Sequence, residues 1–255
     1  VSNPADDLPT DLTTSRSGVF ADLDAFVAFP RISGLILSPD GTDLVVAVST
    51  PDPKSHRYQS ALWRVDPLGE APAVRLTRGA AGESSATFTS TGDLLFTSKR
   101  SDPETTETEE RAPLWMLPSG LGEARVIGSR VGGFSGVHAA ARASVVVAPA
   151  PVLPGAADLA ADDSMRKDRK DAGVSAILHA GYPVRFWDHD LGPDRPHLLS
   201  GDLDAAGSGG RPELRDLTPS SGDALVEQSG DLSQDGGMFV TGWHRRLVIN
   251  GARSS

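Results

Sequence analysis

The chain has 255 residues, is 38% hydrophobic and 23% charged, and carries a net charge of -10. An acidic surface opposes binding to phosphate backbones and anionic membranes, and the absence of cysteine excludes disulfides, thiolate metal ligands and a cysteine nucleophile. Few aromatics (5%) beside 27 Gly and 19 Pro favour many short strands joined by turns over long helices.

Residues 1–18 read as a flexible, polar arm. The arm has no basic segment leading into an apolar core, so no secretory signal is expected. No run approaches the ~18 apolar residues of a membrane span, and a cytoplasmic setting is the expectation. The stretch FADLDAFVAFPR predicts a short helix capped by Asp22 and stopped by Pro30.

A strand pattern follows. ISGLILSPDGTDLVVAVST (32–50) holds two apolar runs around Ser38-Pro39-Asp40-Gly41. Proline fixes φ and glycine accepts positive φ, so the tetrapeptide predicts a hairpin turn. Leu44 to Val48 is continuously apolar and is expected to be buried on both faces. SALWRVDP (60–67) and APAVRLT (71–77) supply a third and a fourth strand.

The order then recurs. SSATFTSTGDLLFTSKR (84–100) predicts a hairpin turning near Gly92, followed by strands in APLWML (112–117) and EARVIG (123–128). The tetrapeptide LGEA occurs at 68–71 and again at 121–124. Gly41 to Gly92 spans 51 residues, Trp63 to Trp115 spans 52 and Gly69 to Gly122 spans 53. Three landmarks with one offset, and four strands per copy, give the period of a β-propeller blade.

A third copy, SGVHAAARASVVVAPAP (135–151), keeps the apolar run but has Ala-Arg-Ala in place of the turn glycine. Residues 156–173 are rich in helix formers and charge and predict an exposed helical insertion ending near Gly173. The copy is expected to resume with VSAILH and YPVRFWDHDLGPDRPHLLS, with Leu191-Gly192 as an eroded LGEA loop and PHLL as the fourth strand. A fourth copy begins near DALVEQSGDLSQDGGMFVTGW (223–243), whose LSQDG echoes the LSPDG at 37–41. The expected architecture is all-β: a partial β-propeller of about three and a half four-stranded blades with one short helical insertion. The blades span approximately 31–79, 82–131, 134–203 and, incompletely, 213–255.

LSPDGTDLVVAVS, ALWRVD and RLT resemble propeller blades of the prolyl oligopeptidase superfamily of serine peptidases. KDAGVSAILHAGYPVRFWDHDLGPDRPHLL resembles the acylaminoacyl-peptidase and dipeptidyl-aminopeptidase-like branch, and the resemblance runs from about Ala21 to Trp243. SPDG turns also occur in TolB-like propellers. The resemblance implies an N-terminal propeller, commonly seven-bladed, that covers an α/β-hydrolase domain and admits small or unstructured peptides. Seven blades at this period need roughly 350 residues, so the chain is expected to stop partway round the ring, before the catalytic Ser, Asp and His.

Other candidate chemistry reads more simply as structure. No G-x-S-x-G elbow occurs; Gly133-Phe134-Ser135-Gly136 is the nearest approach and predicts a turn. Asp231, Ser233, Asp235 and Gly236 match the start of an EF-hand loop, but the twelfth position is Gly242 and a hairpin is expected. Asp188, His189, Asp190, Asp194 and His197 include metal-ligand types, yet neighbours along a strand point to opposite faces. RKDRK (166–170), interleaved with Asp162, Asp163, Asp168 and Asp171, predicts a solvated helix face. GDLDAAGSGG (201–210) predicts a linker, and Trp63 and Trp115 are expected to pack between adjacent blades.

No catalytic, cofactor-binding or metal residue is therefore assigned, and no cofactor, nucleic acid or membrane partner is expected. The leading expectation is a substrate-gating propeller portion of an acylaminoacyl-peptidase-like serine peptidase, inactive alone, whose partner is the family's hydrolase domain. The alternative is a stand-alone propeller module that binds a peptide or protein. Open blade edges invite self-association. The ending HRRLVINGARSS also keeps open a degenerate product with no folded role.

Overall fold

The computed structural model describes residues 22–52, 54, 57–101, 112–179, 184, 185, 187, 192–205 and 210–219, and the backbone of 232–235, 238–241 and 248–250. The chain is mostly β, with three four-stranded antiparallel sheets, a three-stranded sheet and two helices among these residues. The N-terminal arm, Trp243 and the turn at Gly236 lie outside the described residues.

Helix α1 (Leu23–Ala28) is capped as its sequence predicts: the Asp22 carboxylate accepts the Asp24 N–H at 2.9 Å. Sheet 1 is a meander of β1 (Arg31–Leu37), β2 (Leu44–Asp52), β3 (Arg57–Val65) and β4 (Val74–Arg75). Sheet 2 repeats it with β5 (Glu83–Phe88), β6 (Leu94–Ser98), β7 (Leu114–Leu117) and β8 (Arg125–Gly128). The first hairpin turns in the same way in both sheets. Ser38 C=O accepts the Gly41 N–H at 2.9 Å, and Thr89 C=O accepts the Gly92 N–H at 3.1 Å. Gly41 and Gly92 take φ of 76° and 88°, a region that a Cβ disfavours. A hydroxyl closes each turn: Ser38 Oγ accepts the Asp43 N–H and Thr89 Oγ1 accepts the Asp93 N–H.

The LGEA loops occupy equivalent places, after the third strand of each sheet, but are held differently. In sheet 1 the Asp66 carboxylate accepts N–H bonds from Leu68, Glu70 and Ala71. In sheet 2 the loop begins at Ser119, whose N–H instead reaches back to the Asp93 carboxylate at 2.8 Å.

Sheet 3 corrects the sequence reading. It contains β9 (His138–Ala139), β10 (Val145–Val152), β11 (Arg195–Asp202) and β12 (Arg215–Asp216). Residues 174–179 form no strand. The third strand is β11, which runs in unbroken register against β10 from Val145↔Asp202 to Val152↔Arg195. PHLL therefore lies in the third strand rather than the fourth, and Gly192 precedes that strand. Residues 201–202, expected in a linker, end β11, and 215–216, expected in the fourth copy, close sheet 3. The physical reason is a repeated side-chain latch. Thr77 Oγ1 accepts the Leu62 N–H in sheet 1, and Thr218 Oγ1 accepts the Leu198 N–H in sheet 3, both at 2.9 Å. Leu76 and Leu217 N–H complete the match by donating to the carbonyls of Leu62 and Leu198, each at 2.8 Å. RLT at 75–77 thus corresponds to DLT at 216–218.

The sheets stack in chain order. Val45 and Leu62 of sheet 1 pack on Leu94, Phe96, Trp115 and Val126 of sheet 2. The opposite face of sheet 2, through Leu95, Leu114 and Ile127, packs on Val146, Ala148 and Leu199 of sheet 3. First strands meet in succession: β5 contacts both β1 and β9, and β9 contacts β13 (Leu232–Asp235). Strand β13 pairs with β14 (Met238–Thr241), which pairs with β15 (Val248–Asn250). Trp115 is fully buried between sheets 1 and 2, as expected. Trp63, at the matching position, points to the other side of sheet 1 and is half-buried beneath Arg75, whose guanidinium lies 6.0 Å from the ring.

Helix α2 (Leu159–Asp171) connects β10 to β11 within residues 153–194. Asp158 caps it by accepting the Ala161 N–H at 2.8 Å, and Gly173, at φ 64°, ends it as predicted.

Candidate functional site

The sequence assigns no site, and the structure adds a cleft. It opens between β1, β2 and β5, where the first strands of sheets 1 and 2 run side by side, and has a volume of about 490 Å³. Its apolar floor is Ile36, Val45, Ala47 and Ala86. Its rim carries five hydroxyls, from Ser33, Ser49, Ser60, Ser84 and Ser85.

Two bulges shape this cleft. The β1 register shifts between Ile32 and Gly34, and the β5 register shifts between Ser84 and Thr87. A bulge adds a residue to one strand, bends it and re-aims its side chains. At the second bulge Ser85 takes φ 51°, an uncommon conformation for a residue with a Cβ. Gly34 gives the floor its depth, since it projects no side chain toward Ala47.

Glu83 contributes to the cleft wall but spends its carboxylate elsewhere. Oε2 accepts the Thr77 hydroxyl at 2.8 Å and Oε1 accepts the Gly79 N–H at 2.9 Å. A Cβ on residue 79 would sit 2.3 Å from Oε1, so any larger residue there would displace the Glu83 carboxylate from these bonds. Glu83 is 2% exposed, and burial raises its pKa against the opposing pull of these hydrogen bonds and the charges of Arg100 and Arg75. The cluster ties the crossover from sheet 1 to sheet 2: Gln59 donates to Gly79 C=O, and the Ser98 hydroxyl donates to Gly82 C=O, each at 2.8 Å.

A second polar cluster docks one face of α2, while Lys167, Asp168 and Lys170 stay exposed, so the expected solvated face covers only part of the helix. Asp162 is fully buried. It accepts hydrogen bonds from Arg130, from Arg166 at 2.8 Å and from the Leu153 N–H at 2.6 Å. Arg130 and Arg166 both also donate to Pro151 C=O. Arg166 continues to Asp194 at 2.7 Å. Asp163 accepts the Val131 N–H at 3.1 Å, and burial raises its pKa.

The other singled-out residues are placed as follows. Ser135 is exposed within an otherwise buried loop before β9 and donates its N–H to Pro149 C=O, so no nucleophile elbow forms. Asp188, His189 and Asp190 lie outside the described residues, as do Asp231 and Gly242. Ser233 and Asp235 lie on β13, which forms a hairpin with β14. Asp194 and His197 do not converge: Asp194 pairs with Arg166, and His197 Nδ1 lies 2.7 Å from Asp216 Oδ2. Nothing in the sequence marks Asp216, because residues 213–216 read as the start of the next copy. Among the described residues no group of three metal-ligating side chains occurs, and no helix is long and apolar enough to cross a membrane.

A mostly-β fold whose sheets stack face to face, with first strands meeting in succession, is consistent with a partial β-propeller. No protein-family model matches the chain, and no curated protein matches it. Among solved structures it is similar to the acylaminoacyl peptidase of Pyrococcus horikoshii, at 12% identity and a TM-score of 0.55 over 89% of this chain and 30% of that one. Fainter likenesses are to the AtxE2 isopeptidase (14% identity, TM-score 0.47, 90% of this chain and 40% of that one) and TolB from Acinetobacter baumannii (13%, 0.41, 87% and 52%). At such identities the likeness concerns the fold alone. The chain spans about 30% of the length of the Pyrococcus horikoshii peptidase and 40% of the isopeptidase.

Proposed function

We propose that these residues form the substrate-gating propeller portion of an acylaminoacyl-peptidase-like serine peptidase, with about three and a half blades. The observation that supports this most is the stack of three four-stranded meanders in chain order, in a fold similar to the Pyrococcus horikoshii enzyme. On this reading hydrolysis requires an α/β-hydrolase domain, and the propeller acts as a size filter in front of it. The chemistry would be acyl transfer from a peptide to a serine on that domain and then to water. The test is to incubate the purified chain with peptide anilides and acyl-amino-acid esters. No turnover is expected; activity that co-purifies with the chain through successive columns overturns the proposal.

The hydroxyl-rimmed cleft favours a second reading, a peptide- or protein-binding module that works without a hydrolase. Co-expression with an α/β-hydrolase domain of the acylaminoacyl-peptidase type separates the two. Stable association supports the gating portion, and a chain that stays apart supports the module.

A further inference from the structure

We infer that the cleft between β1 and β5 binds an uncharged, extended stretch of polypeptide through its main-chain amides. The inference rests on the propeller reading only in that both take a peptide as the ligand. Charge comes first. The charged side chain in the lining is Glu83, and both of its oxygens already accept hydrogen bonds from Thr77 and Gly79. Both oxygens are thus already engaged by the protein, and the rest of the lining carries no charged side chain to pair with a ligand ion. It presents hydroxyls, each able to donate and accept. Ser84 is engaged with Thr97 at 2.8 Å, whereas no hydrogen bond engages the hydroxyls of Ser33, Ser49, Ser60 and Ser85 among the described residues. Such a rim matches a ligand with alternating donors and acceptors and no charge.

Geometry then distinguishes a peptide from a neutral sugar. Strands β1 and β5 are the end strands of their sheets, so each has one side whose N–H and C=O groups its own sheet does not use. An extended chain satisfies such groups by adding a strand. The two bulges sit along these edges, where they interrupt the strand and turn Ser33 and Ser85 out of regular alternation. The apolar floor of Ile36, Val45, Ala47 and Ala86 takes small side chains. The volume of about 490 Å³ falls within the ~300–1,000 Å³ typical of ligand pockets.

The test uses the full chain, isotope-labelled for amide NMR, and the probe acetyl-Ala-Ser-Ala-Ser-Ala-amide. Saturable shifts are expected at the amides of Ser33, Gly34, Ser49, Ser60 and Ser85. Methylating the central amide nitrogen of the probe removes one main-chain donor and is expected to weaken binding about tenfold. Gly34→Val fills the floor and is expected to abolish the shifts. A Cβ at residue 34 lies 3.7 Å from Ala47 Cβ, an ordinary contact, so the sheet accommodates the first added carbon. Should that variant fail to fold, the methylated probe decides alone. Equal binding of the methylated probe, shifts confined to other sheets, tighter binding of a neutral glucose oligomer, or no saturable shift at about 5 mM probe each overturn the inference. Turnover by the isolated chain would overturn the gating role and leave this inference standing, while loss of peptide binding leaves the gating role to its own test.

Discussion

Asp162 has no exposed surface and is surrounded by two guanidinium groups and one backbone N–H. Arg130, 4% exposed at its side chain, depends on that carboxylate, because its buried Nε finds no partner among the described residues. Removing one member of a buried pair strands the other charge, which costs about 3–5 kcal/mol. Asp162→Asn is therefore expected to lower unfolding free energy by about that amount in urea titrations. Arg130→Met combined with Asp162→Leu is expected to lose less than the sum of the single changes. Glu83 gives a pH signature of the opposite kind to a salt-bridged acid. Its folded pKa lies above the ordinary 4.5, so the folded state holds the proton more tightly than the unfolded chain. Stability is expected to fall as pH rises from 4.5 through the raised folded value, with a flatter profile for Glu83→Gln measured by thermal unfolding across that window. Asp40 acts in the reverse sense. Hydrogen bonds from Ser38 and Thr42 lower its pKa, and the stability they bring is lost as pH falls through its folded value.

At the level of elements, the latch shared by sheets 1 and 3 makes a paired prediction. Thr77→Val and Thr218→Val each leave a buried strand N–H without its acceptor, at about 1–3 kcal/mol apiece, and amide exchange at Leu62 and Leu198 is expected to speed up in the respective variants. Gly82 makes another. It has φ 80°, and an added Cβ would lie 3.2 Å from the Ser60 backbone N, so Gly82→Ala is expected to destabilise more than Gly41→Ala, where φ is 76° but the space is open. How far elements were legible in sequence follows from the same features. Turns at Gly41 and Gly92 announced themselves because positive φ demands a particular residue type. The third sheet is less legible because the helical insertion separates β10 from β11 and displaces the expected spacing. DLT at 216–218 repeats RLT and was a usable signal, but a two-residue strand has no periodicity to support it. The cleft was not legible. Its serines come from four strands and acquire meaning only through bulges that sequence pattern does not mark.

Among the described residues, sheet 1 carries an apolar face turned away from sheet 2. Cross-strand pairing puts Ile32, Leu35 and Leu37 on one side of sheet 1 with Leu44, Val46 and Trp63, opposite the side that meets sheet 2. Ile32, Leu35 and Leu37 are 69%, 64% and 55% exposed. Sheets 2 and 3 each turn the corresponding side toward the sheet before them: Trp115 faces sheet 1 and Leu199 faces sheet 2. Trp63 and its neighbours thus stand where a preceding sheet would pack. Contiguous exposed apolar surface of this kind favours self-association. Sedimentation velocity is expected to show concentration-dependent association that Ile32→Lys combined with Leu37→Glu weakens at least tenfold; unchanged association would place the contact elsewhere.

The buried charge of Asp162 also constrains what a genome can do with the insertion that carries it. Arg130 belongs to the segment joining sheets 2 and 3, while Asp162 belongs to the loop within sheet 3. A deletion that trimmed residues 156–173 back to a short hairpin would leave the guanidinium of Arg130 without its counterion. Shortening the loop is thus viable only alongside a change at position 130, so relatives lacking the helix are expected to lack that arginine as well.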